Sequence, residues 1–333
     1  MKVAVFDTHH FERSPLREAN QKFNHELVFL ETRLSSTTAS LSAGFTVVSS
    51  FANDQLDSAA LEILSASGVK LIALRSAGFN HVDLVAADRN GIQVVRVPAY
   101  SPFSVAEHAV CLIMALNRKI HRAYARVREL NFNLDGLVGF DLHGKTVGVI
   151  GAGRIGAAFC RIMHGFGCRI LIYDLEKNPS LNDLSSIEYV SLEKLYESSD
   201  IVSLHVPLTP ETRHLIDLIT LGKMKKGVML INTSRGALID TNALVQSLKS
   251  GHIAAAGLDV YEEEENVFFN DLSGKVLQDD LLARLLTFPN VLITSHQGFL
   301  TAEALQGIAE TTLMNISDFE NGLPLLNAVS AHK

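Results

Sequence analysis

Residues 145–156 read KTVGVIGAGRIG, an apolar run that leads directly into three glycines. The run 146–150 has the β-branched, apolar character of a buried strand. Gly151, Gly153 and Gly156 are spaced G-x-G-x-x-G, and residues 154–166 follow with the apolar periodicity of a helix. The glycine spacing alone is weak, but a strand before it and a helix after it are the context of a dinucleotide-binding turn. The alternative is a tight structural turn that holds no ligand.

Each glycine in this turn has a separate physical role. Gly151 permits the sharp bend, Gly153 lets a pyrophosphate approach the backbone, and Gly156 lets the helix lie close to the strand. The helix N-terminus then offers unpaired N–H groups and a partial positive charge to phosphates. Asp174 ends the next strand-like run, 18 residues beyond Gly156, where it can accept hydrogen bonds from ribose hydroxyls. Because its carboxylate would repel a 2′-phosphate, the sequence favours NAD over NADP.

Strand-like and helix-like segments alternate along the whole chain, in two sets. Such alternation predicts parallel sheets with helices on both faces. A helical pattern through 105–116, capped by Ser101 or Ser104, carries the chain from the first set to the second, and an amphipathic stretch at 301–320 can return to the first. The fold class expected is α/β, with two doubly wound parallel-sheet domains. The strand-like runs are 2–6, 46–48, 71–74 and 93–96 in the first set, and 146–150, 169–173, 201–206, 228–232, 254–260 and 291–295 in the second.

Composition excludes several classes of function. The chain has 333 residues, of which 47% are hydrophobic, enough for two cored domains. A net charge of −7 without a dense basic cluster argues against nucleic-acid binding. No apolar run reaches the roughly 18 residues of a membrane span, and the N-terminus lacks the features of a secretory signal. The three cysteines lie in apolar sequence, so we expect buried free thiols in a reducing compartment and therefore a cytoplasmic location. No group of residues has convincing metal-ligand spacing, so no metal is expected.

Polar residues follow three of the strand-like runs, at the sheet edge where α/β proteins bind their ligands. They are Arg235, the four glutamates 262–265 and His296. Hydride transfer to a ketone leaves negative charge on the carbonyl oxygen, which needs a proton donor and an electrostatic partner. A histidine can donate that proton, a glutamate on its other ring nitrogen can orient it, and an arginine can hold a substrate carboxylate with two hydrogen bonds.

The chain resembles the D-isomer-specific 2-hydroxyacid dehydrogenases nearly end to end, and most closely their fermentative lactate branch. The resemblance implies a Rossmann-type NAD-binding domain (101–298) inserted into a flavodoxin-like substrate domain (1–100 and 299–333), with the active site in the cleft between them. It also implies reduction of a small 2-oxo acid such as pyruvate by NADH to the D-hydroxy acid, and a homo-oligomer, dimer or tetramer. The motifs that carry it are LRSAGFNHVD (74–83), VPAYSPFSVAEHA (97–109), GKTVGVIGAGRIG (144–156), LHVPLTPET (204–212), NTSRGALID (232–240), GLDVYE (257–262) and SHQGFLTAEAL (295–305).

Carried over by motif, the family's catalytic arginine, glutamate and histidine become Arg235, Glu264 and His296. Arg235 would anchor the substrate carboxylate, His296 would act as the acid and base, and Glu264 would tune His296. The substrate pocket would include Ala77, Gly78, Tyr100 and Phe299 beside Arg235 and His296. The cofactor positions implied are Gly151, Gly153, Arg154, Ile155, Gly156, Asp174, Val206, Pro207, Thr212, Thr233, Ser234 and Asp259.

One departure and two alternatives stay open. The family usually has two glutamates separated by one residue, whereas this chain has four in a row. The position five residues after Asp259 selects Glu264, although a neighbouring glutamate could face His296, and the other three are expected to form a solvated face. A dehydrogenase for bulkier 2-oxo acids and an NAD(H)-sensing binding protein on the same scaffold are the competing functions.

Overall fold

A computed structural model describes residues 1–265 and 267–331. The chain divides into two compact units, Met1–Ser101 with Leu300–Lys333, and Pro102–Phe299. Each boundary lies one residue beyond the one expected from sequence, so Phe299 falls in the second unit. The elements in chain order are β1 Lys2–Val5, α1 His10–Asn20, β2 Glu26–Phe29, β3 Val47–Ser50, α2 Ser58–Ala66, β4 Leu71–Leu74, α3 Leu84–Arg89, β5 Gln93–Val95, α4 Pro102–Asn117, α5 Ile120–Arg128, β6 Thr146–Ile150, α6 Arg154–Gly165, β7 Arg169–Tyr173, β8 Ile187–Tyr189, α7 Leu192–Ser198, β9 Ile201–Leu204, α8 Leu218–Lys223, β10 Val228–Asn232, α9 Thr241–Lys249, β11 Ile253–Leu258, α10 Asp280–Leu286, β12 Val291–Ile293, α11 Ala302–Glu320 and β13 Ala328–Val329.

The first unit has one sheet with the strand order β13-β5-β4-β3-β1-β2. Its five N-terminal strands are parallel and lie in the flavodoxin-like order 2-1-3-4-5. The short edge strand β13 differs from the all-parallel expectation, because it pairs with β5 in antiparallel register, Ala328 opposite Val95. A strand of only two residues, following the last helix, is too short for its sequence pattern to predict it.

The second unit has one parallel sheet in the order β12-β11-β10-β9-β6-β7-β8. Counted from β6, the order is 3-2-1-4-5-6 with one further strand, which is the arrangement of dinucleotide-binding sheets. Successive residues of β10 enter two different apolar clusters: Leu230 belongs to one and Ile231 to the other. Since alternate side chains point to opposite faces, both faces of the sheet are covered. The α/β fold with two doubly wound domains is therefore confirmed.

Side-chain caps decide where many of the helices begin. The N-cap carboxylate of Asp57 accepts a hydrogen bond from the backbone N–H of Ala60, and Thr301 caps α11 in the same way through Ala304. Helix α4 begins at Pro102, so Ser104 lies inside it and does not cap it, contrary to one of the two sequence expectations. The Ser104 hydroxyl instead donates to the carbonyl of Gly298 at 2.7 Å. Further helices with an N-cap side chain are α3 (Asp83), α7 (Ser191), α8 (Asp217), α9 (Asp240) and α10 (Asp279).

His205, directly after β9, makes the stability of this chain dependent on pH. Burial lowers the pKa of its imidazole to about 3, and its Nδ1 has no hydrogen-bond partner among the described residues. Between about pH 6.5 and pH 3 the unfolded chain therefore binds a proton at this residue that the folded chain does not. Above pH 6.5 His205 is neutral in both states and does not lower the free energy of unfolding. Below pH 6.5 the free energy of unfolding decreases as the pH falls, by up to about 1.4 kcal/mol per pH unit.

We expect His205→Gln to flatten the fall in the free energy of unfolding between pH 7 and pH 5, as measured by urea denaturation of the cofactor-free protein. His10→Gln, at an exposed histidine, is the control and should retain the wild-type slope. Equal slopes for His205→Gln and the wild type would show that the neutral imidazole does not contribute.

Candidate active site

The carboxyl ends of β10, β11 and β12 lie side by side at one edge of the second sheet. Asn232 pairs with Leu258, and Leu258 pairs with Ile293. Two backbone hydrogen bonds extend this pairing beyond the strands: the Asp259 N–H donates to the Asn232 carbonyl at 2.9 Å, and the His296 N–H donates to the Asp259 carbonyl at 2.7 Å. The segments that carry Arg235, Glu264 and His296 all start from this edge.

His296 and Glu264 form a direct pair. The His296 Nδ1 lies 3.0 Å from Glu264 Oε1, and both side chains are about one-fifth exposed, at 21% and 22%. Glu264 is also tied to its own turn, since its carbonyl accepts from the N–H groups of Val267 and Phe268. Because the carboxylate occupies Nδ1, the other nitrogen, Nε2, is the one left to exchange a proton with a ligand.

The four consecutive glutamates have different environments. Glu263 and Glu265 are exposed. The sequence predicted that Glu262 lies on a solvated face, and this prediction is wrong. Its side chain is 14% exposed, and its Oε1 lies 2.6 Å from His214 Nε2. The Thr241 hydroxyl donates to the other oxygen of Glu262 at 3.2 Å. The turn after Tyr261 therefore directs alternate glutamates to different partners, and Glu264 is the one paired with His296.

Arg235 follows β10 and is half-buried. Its Nη1 donates to the Ser234 carbonyl at 2.6 Å. Within residues 1–265 and 267–331 no carboxylate forms a salt bridge with it, in contrast to Arg75, which pairs with Glu12 at 2.7 Å. Gly236 allows this segment to lie close to the start of the turn that carries the four glutamates. A Cβ added at Gly236 would lie 2.0 Å from the Tyr261 carbonyl group. A guanidinium with no internal carboxylate is suited to an external one.

The glycine turn has the geometry that its sequence predicts. Gly151 has φ +95°, and a Cβ there would lie 2.7 Å from the His205 carbonyl oxygen. A Cβ on Gly156 would lie 2.0 Å from the Gly151 oxygen, so the helix approaches the strand as closely as it can. Gly153 caps α6 and faces open space, since a Cβ added there would have no atom of the described residues within 4 Å. The open space at the helix N-terminus fits a pyrophosphate.

Residues around the glycine turn hold it in place. Asp174 follows β7, and its Oδ2 accepts from the Ala152 N–H at 2.5 Å. Arg154 is exposed and Ile155 is half-buried at the start of α6. The other predicted cofactor positions lie on two loops at the same sheet edge: Val206, Pro207 and Thr212 after β9, and Thr233 and Ser234 after β10.

Hydroxyl groups hold one of these loops together and join the other to the end of β9. The Thr212 hydroxyl donates to the Pro207 carbonyl at 2.7 Å, and the Ser234 hydroxyl donates to the Leu204 carbonyl at 2.9 Å. Thr233 is buried, and its Oγ1 has no partner among the described residues. The individual cofactor contacts of these residues stay predictions.

Asp259 has a structural role that sequence reasoning did not assign. Its carboxylate, in a residue 1% exposed, accepts from the N–H groups of Gln297 at 2.9 Å and Gly298 at 2.8 Å. Although burial opposes ionisation, hydrogen bonds from His108 and Thr294 hold the pKa of Asp259 below its ordinary value. Asp259 thus anchors the turn that carries His296, and its predicted contact with a cofactor stays untested.

The remaining predicted substrate residues are divided between the units. Ala77 and Gly78 follow β4 in the first unit, where the Ala77 carbonyl accepts from Arg96 and the Gly78 carbonyl accepts from Ser76. Tyr100 also belongs to the first unit, and Phe299 belongs to the second. Their contact with substrate stays a prediction.

The described part of the chain offers neither a metal site nor a membrane-spanning helix. No group of three or more histidines, cysteines, aspartates or glutamates is arranged to hold a metal ion within residues 1–265 and 267–331. In the same residues, none of the helices combines the length and the apolar character needed to span a membrane.

The chain is similar over nearly its whole length to several known proteins. The family model described as D-isomer specific 2-hydroxyacid dehydrogenase, NAD binding domain, matches residues 110–298. A D-lactate dehydrogenase of Escherichia coli is 50% identical over 322 residues, which are 97% of this chain and 98% of that one. A structure of the pyruvate reductase of Chlamydomonas reinhardtii has a TM-score of 0.93 and 47% identity, covering 98% of each chain. A D-lactate dehydrogenase with NAD+ from Lactobacillus jensenii has a TM-score of 0.82 and 33% identity, covering 99% of this chain and 100% of that one.

Proposed function

The chain belongs to the D-isomer-specific 2-hydroxyacid dehydrogenases, which are NAD-dependent oxidoreductases, and from this premise we propose that it is a D-lactate dehydrogenase that reduces pyruvate to D-lactate with NADH. The relative at 50% identity that is named a D-lactate dehydrogenase supports the choice of substrate. The observation that carries the proposal is the 3.0 Å pair of His296 with Glu264, at the same sheet edge as an arginine that has no carboxylate partner among the described residues.

In the proposed reaction each of the three side chains has one task. NADH, when bound, supplies the hydride. The Arg235 guanidinium binds the pyruvate carboxylate through two hydrogen bonds and so orients the carbonyl. The His296 Nε2 gives its proton to the carbonyl oxygen as negative charge develops there. The Glu264 carboxylate holds the ring and stabilises the imidazolium before the transfer.

Glu264→Gln should lower kcat for pyruvate reduction by about 10-fold or more, because the amide keeps a hydrogen bond but loses the negative charge that stabilises the imidazolium. Glu263→Gln is the matched control, one residue away and exposed, and should leave kcat within about two-fold of wild type. A loss with Glu263→Gln and none with Glu264→Gln would mean that a different glutamate serves His296. Steady-state kinetics at saturating NADH measures both.

The deciding experiment for the substrate is a spectrophotometric panel of 2-oxo acids with NADH and NADPH, followed by chiral analysis of the product. We expect the highest kcat/KM with pyruvate, a product of D configuration and a clear preference for NADH, since Asp174 disfavours a 2′-phosphate. A higher kcat/KM with 2-oxoisocaproate or phenylpyruvate would favour a dehydrogenase for bulkier acids. Negligible turnover on every acid, with tight NADH binding, would favour an NAD(H)-sensing protein.

We also propose that the protein is a homo-oligomer. Helix α5 has no buried residue, and the segment after it is unusually apolar for a surface. Leu130→Asp should shift the mass in sedimentation velocity towards the monomer. Leu326→Asp, at a residue of the first unit that is 89% exposed, is the control and should leave the mass unchanged. Equal masses for both variants would show that the segment after α5 is not part of an interface. The exposed apolar residues of α5 and the segment after it include Ile120 (58%), Tyr124 (64%), Val127 (50%), Leu130 (78%), Phe132 (68%), Leu134 (77%) and Val138 (84%).

A cytoplasmic location is part of the same proposal. Cys111, Cys160 and Cys168 are all free thiols; Cys160 and Cys168 are buried, whereas Cys111 is exposed, contrary to the expectation from sequence. Burial raises the pKa of Cys160 to about 12 and that of Cys168 to about 11. Buried thiols of this kind are structural and fit a reducing compartment in which fermentative reduction of pyruvate takes place.

A further inference from the structure

Helix α4 presents two polar side chains to the turn that carries His296. Ser104 and His108 are four residues apart and therefore lie on the same face of the helix. The Ser104 hydroxyl donates to the Gly298 carbonyl at 2.7 Å. His108 Nε2 lies 3.0 Å from Thr294 Oγ1 and 3.2 Å from Asp259 Oδ1. Both ends of the turn are therefore held by one helix.

The hydrogen bonds determine which ring nitrogen of His108 carries a proton. The Thr294 hydroxyl has a single proton, and it donates that proton to Asp259 Oδ1 at 2.6 Å. Thr294 Oγ1 and the Asp259 carboxylate are then both acceptors towards His108. The His108 Nε2 must be protonated and must donate, which makes His108 a fixed part of the network around the Asp259 carboxylate.

The turn needs such support because its backbone is strained. His296 has φ +51°, in the left-handed region, which is unfavourable for a residue other than glycine. The Asp259 carboxylate accepts hydrogen bonds from the N–H groups of Gln297 and Gly298, which directly follow the strained residue. A Cβ on Gly298 would lie 2.9 Å from Asp259 Oδ2, so the turn lies tightly against the carboxylate.

We propose that His108 is a positioning residue for His296: through Asp259 and Thr294 it holds the turn 294–298 so that the His296 ring faces Glu264. The inference rests on the proposed function, in which His296 is the proton donor. His108 is 14% exposed and acts through the turn without taking part in the proton transfer. The groups that His108 contacts, Thr294 and Asp259, belong to the same unit as His108 itself.

The test compares two substitutions at residue 108. His108→Leu removes the donor, and we expect kcat to fall by about 10- to 100-fold because a shift of about 1 Å in a reacting group costs that much. The Kd for NADH, measured by fluorescence, should stay within about two-fold. His108→Gln, whose amide nitrogen can lie near the Nε2 position, should recover most of the lost kcat. His164→Leu is the control: His164 also bonds a hydroxyl, Ser186 Oγ at 2.7 Å, but lies at the far end of α6, and its loss should not change kcat.

A double-mutant cycle with His296→Gln separates positioning from a general loss of structure. If His108 acts through His296, then His108→Leu should cause no further fall in kcat once His296 is glutamine. Additive losses, failure of His108→Gln to recover activity, or wild-type kcat in His108→Leu would each overturn the proposal. Should His108→Leu fail to fold, Thr294→Val removes the hydroxyl that joins the same network and should give the same loss and the same absence of additivity.

The cycle also distinguishes this inference from the proposed function. Near-normal turnover of the single variant His296→Gln would overturn the proton-donor assignment itself. A large loss with His296→Gln, together with full activity of His108→Leu, would overturn only the positioning role.

Discussion

Replacing His296 with glutamine should lower kcat for pyruvate reduction by about 10²–10⁴-fold and leave the Kd for NADH within about two-fold. Glutamine retains a polar group of similar length but cannot give up a proton at neutral pH. The alkoxide that forms on hydride transfer would then lack its proton donor, and the Glu264 carboxylate, 3.0 Å from the lost ring nitrogen, would lose its partner. Single-turnover measurements at saturating NADH would locate the loss in the chemical step.

The matched control is His252→Gln, at a histidine of the same unit whose Nε2 lies 3.0 Å from the Met224 carbonyl. This variant should keep wild-type kcat. A near-normal kcat for His296→Gln would remove His296 from the reaction and with it the role of Glu264.

The second large effect is expected at Arg235. Arg235→Lys should raise the KM for pyruvate by about 10- to 100-fold, because an ammonium cannot make two parallel hydrogen bonds to one carboxylate. The melting temperature should change little, since no internal carboxylate within the described residues depends on this guanidinium. A higher KM without a lower melting temperature would show that the Arg235 guanidinium binds the substrate and does not stabilise the fold.

Arg169→Lys provides the comparison, because Arg169 pairs with Glu188 at 2.6 Å on the protein surface. Neither its KM for pyruvate nor its kcat should change measurably. An unchanged KM in Arg235→Lys would mean that the substrate carboxylate binds elsewhere.

Several features of this protein follow from local sequence alone. The glycine turn is one, because its three glycines lie within six consecutive residues and the close contact that Gly156 requires is with Gly151, five residues earlier. The alternation of apolar strands and helices likewise predicts two doubly wound sheets, since a strand covered on both faces must be apolar on both. The class of the protein and its NAD cofactor follow from these motifs taken together.

Other features were decided by contacts between distant segments. Position relative to Asp259 selected Glu264, but nothing in the sequence indicated that Glu262 would be directed to His214 while Glu264 is directed to His296. The antiparallel pairing of β13 with β5 and the position of His108 beside Asp259 likewise depend on residues far apart in the chain. Composition, periodicity and spacing describe neighbours along the chain, whereas hydrogen bonding and ion pairing of buried groups depend on which segments the completed sheets and helices bring together.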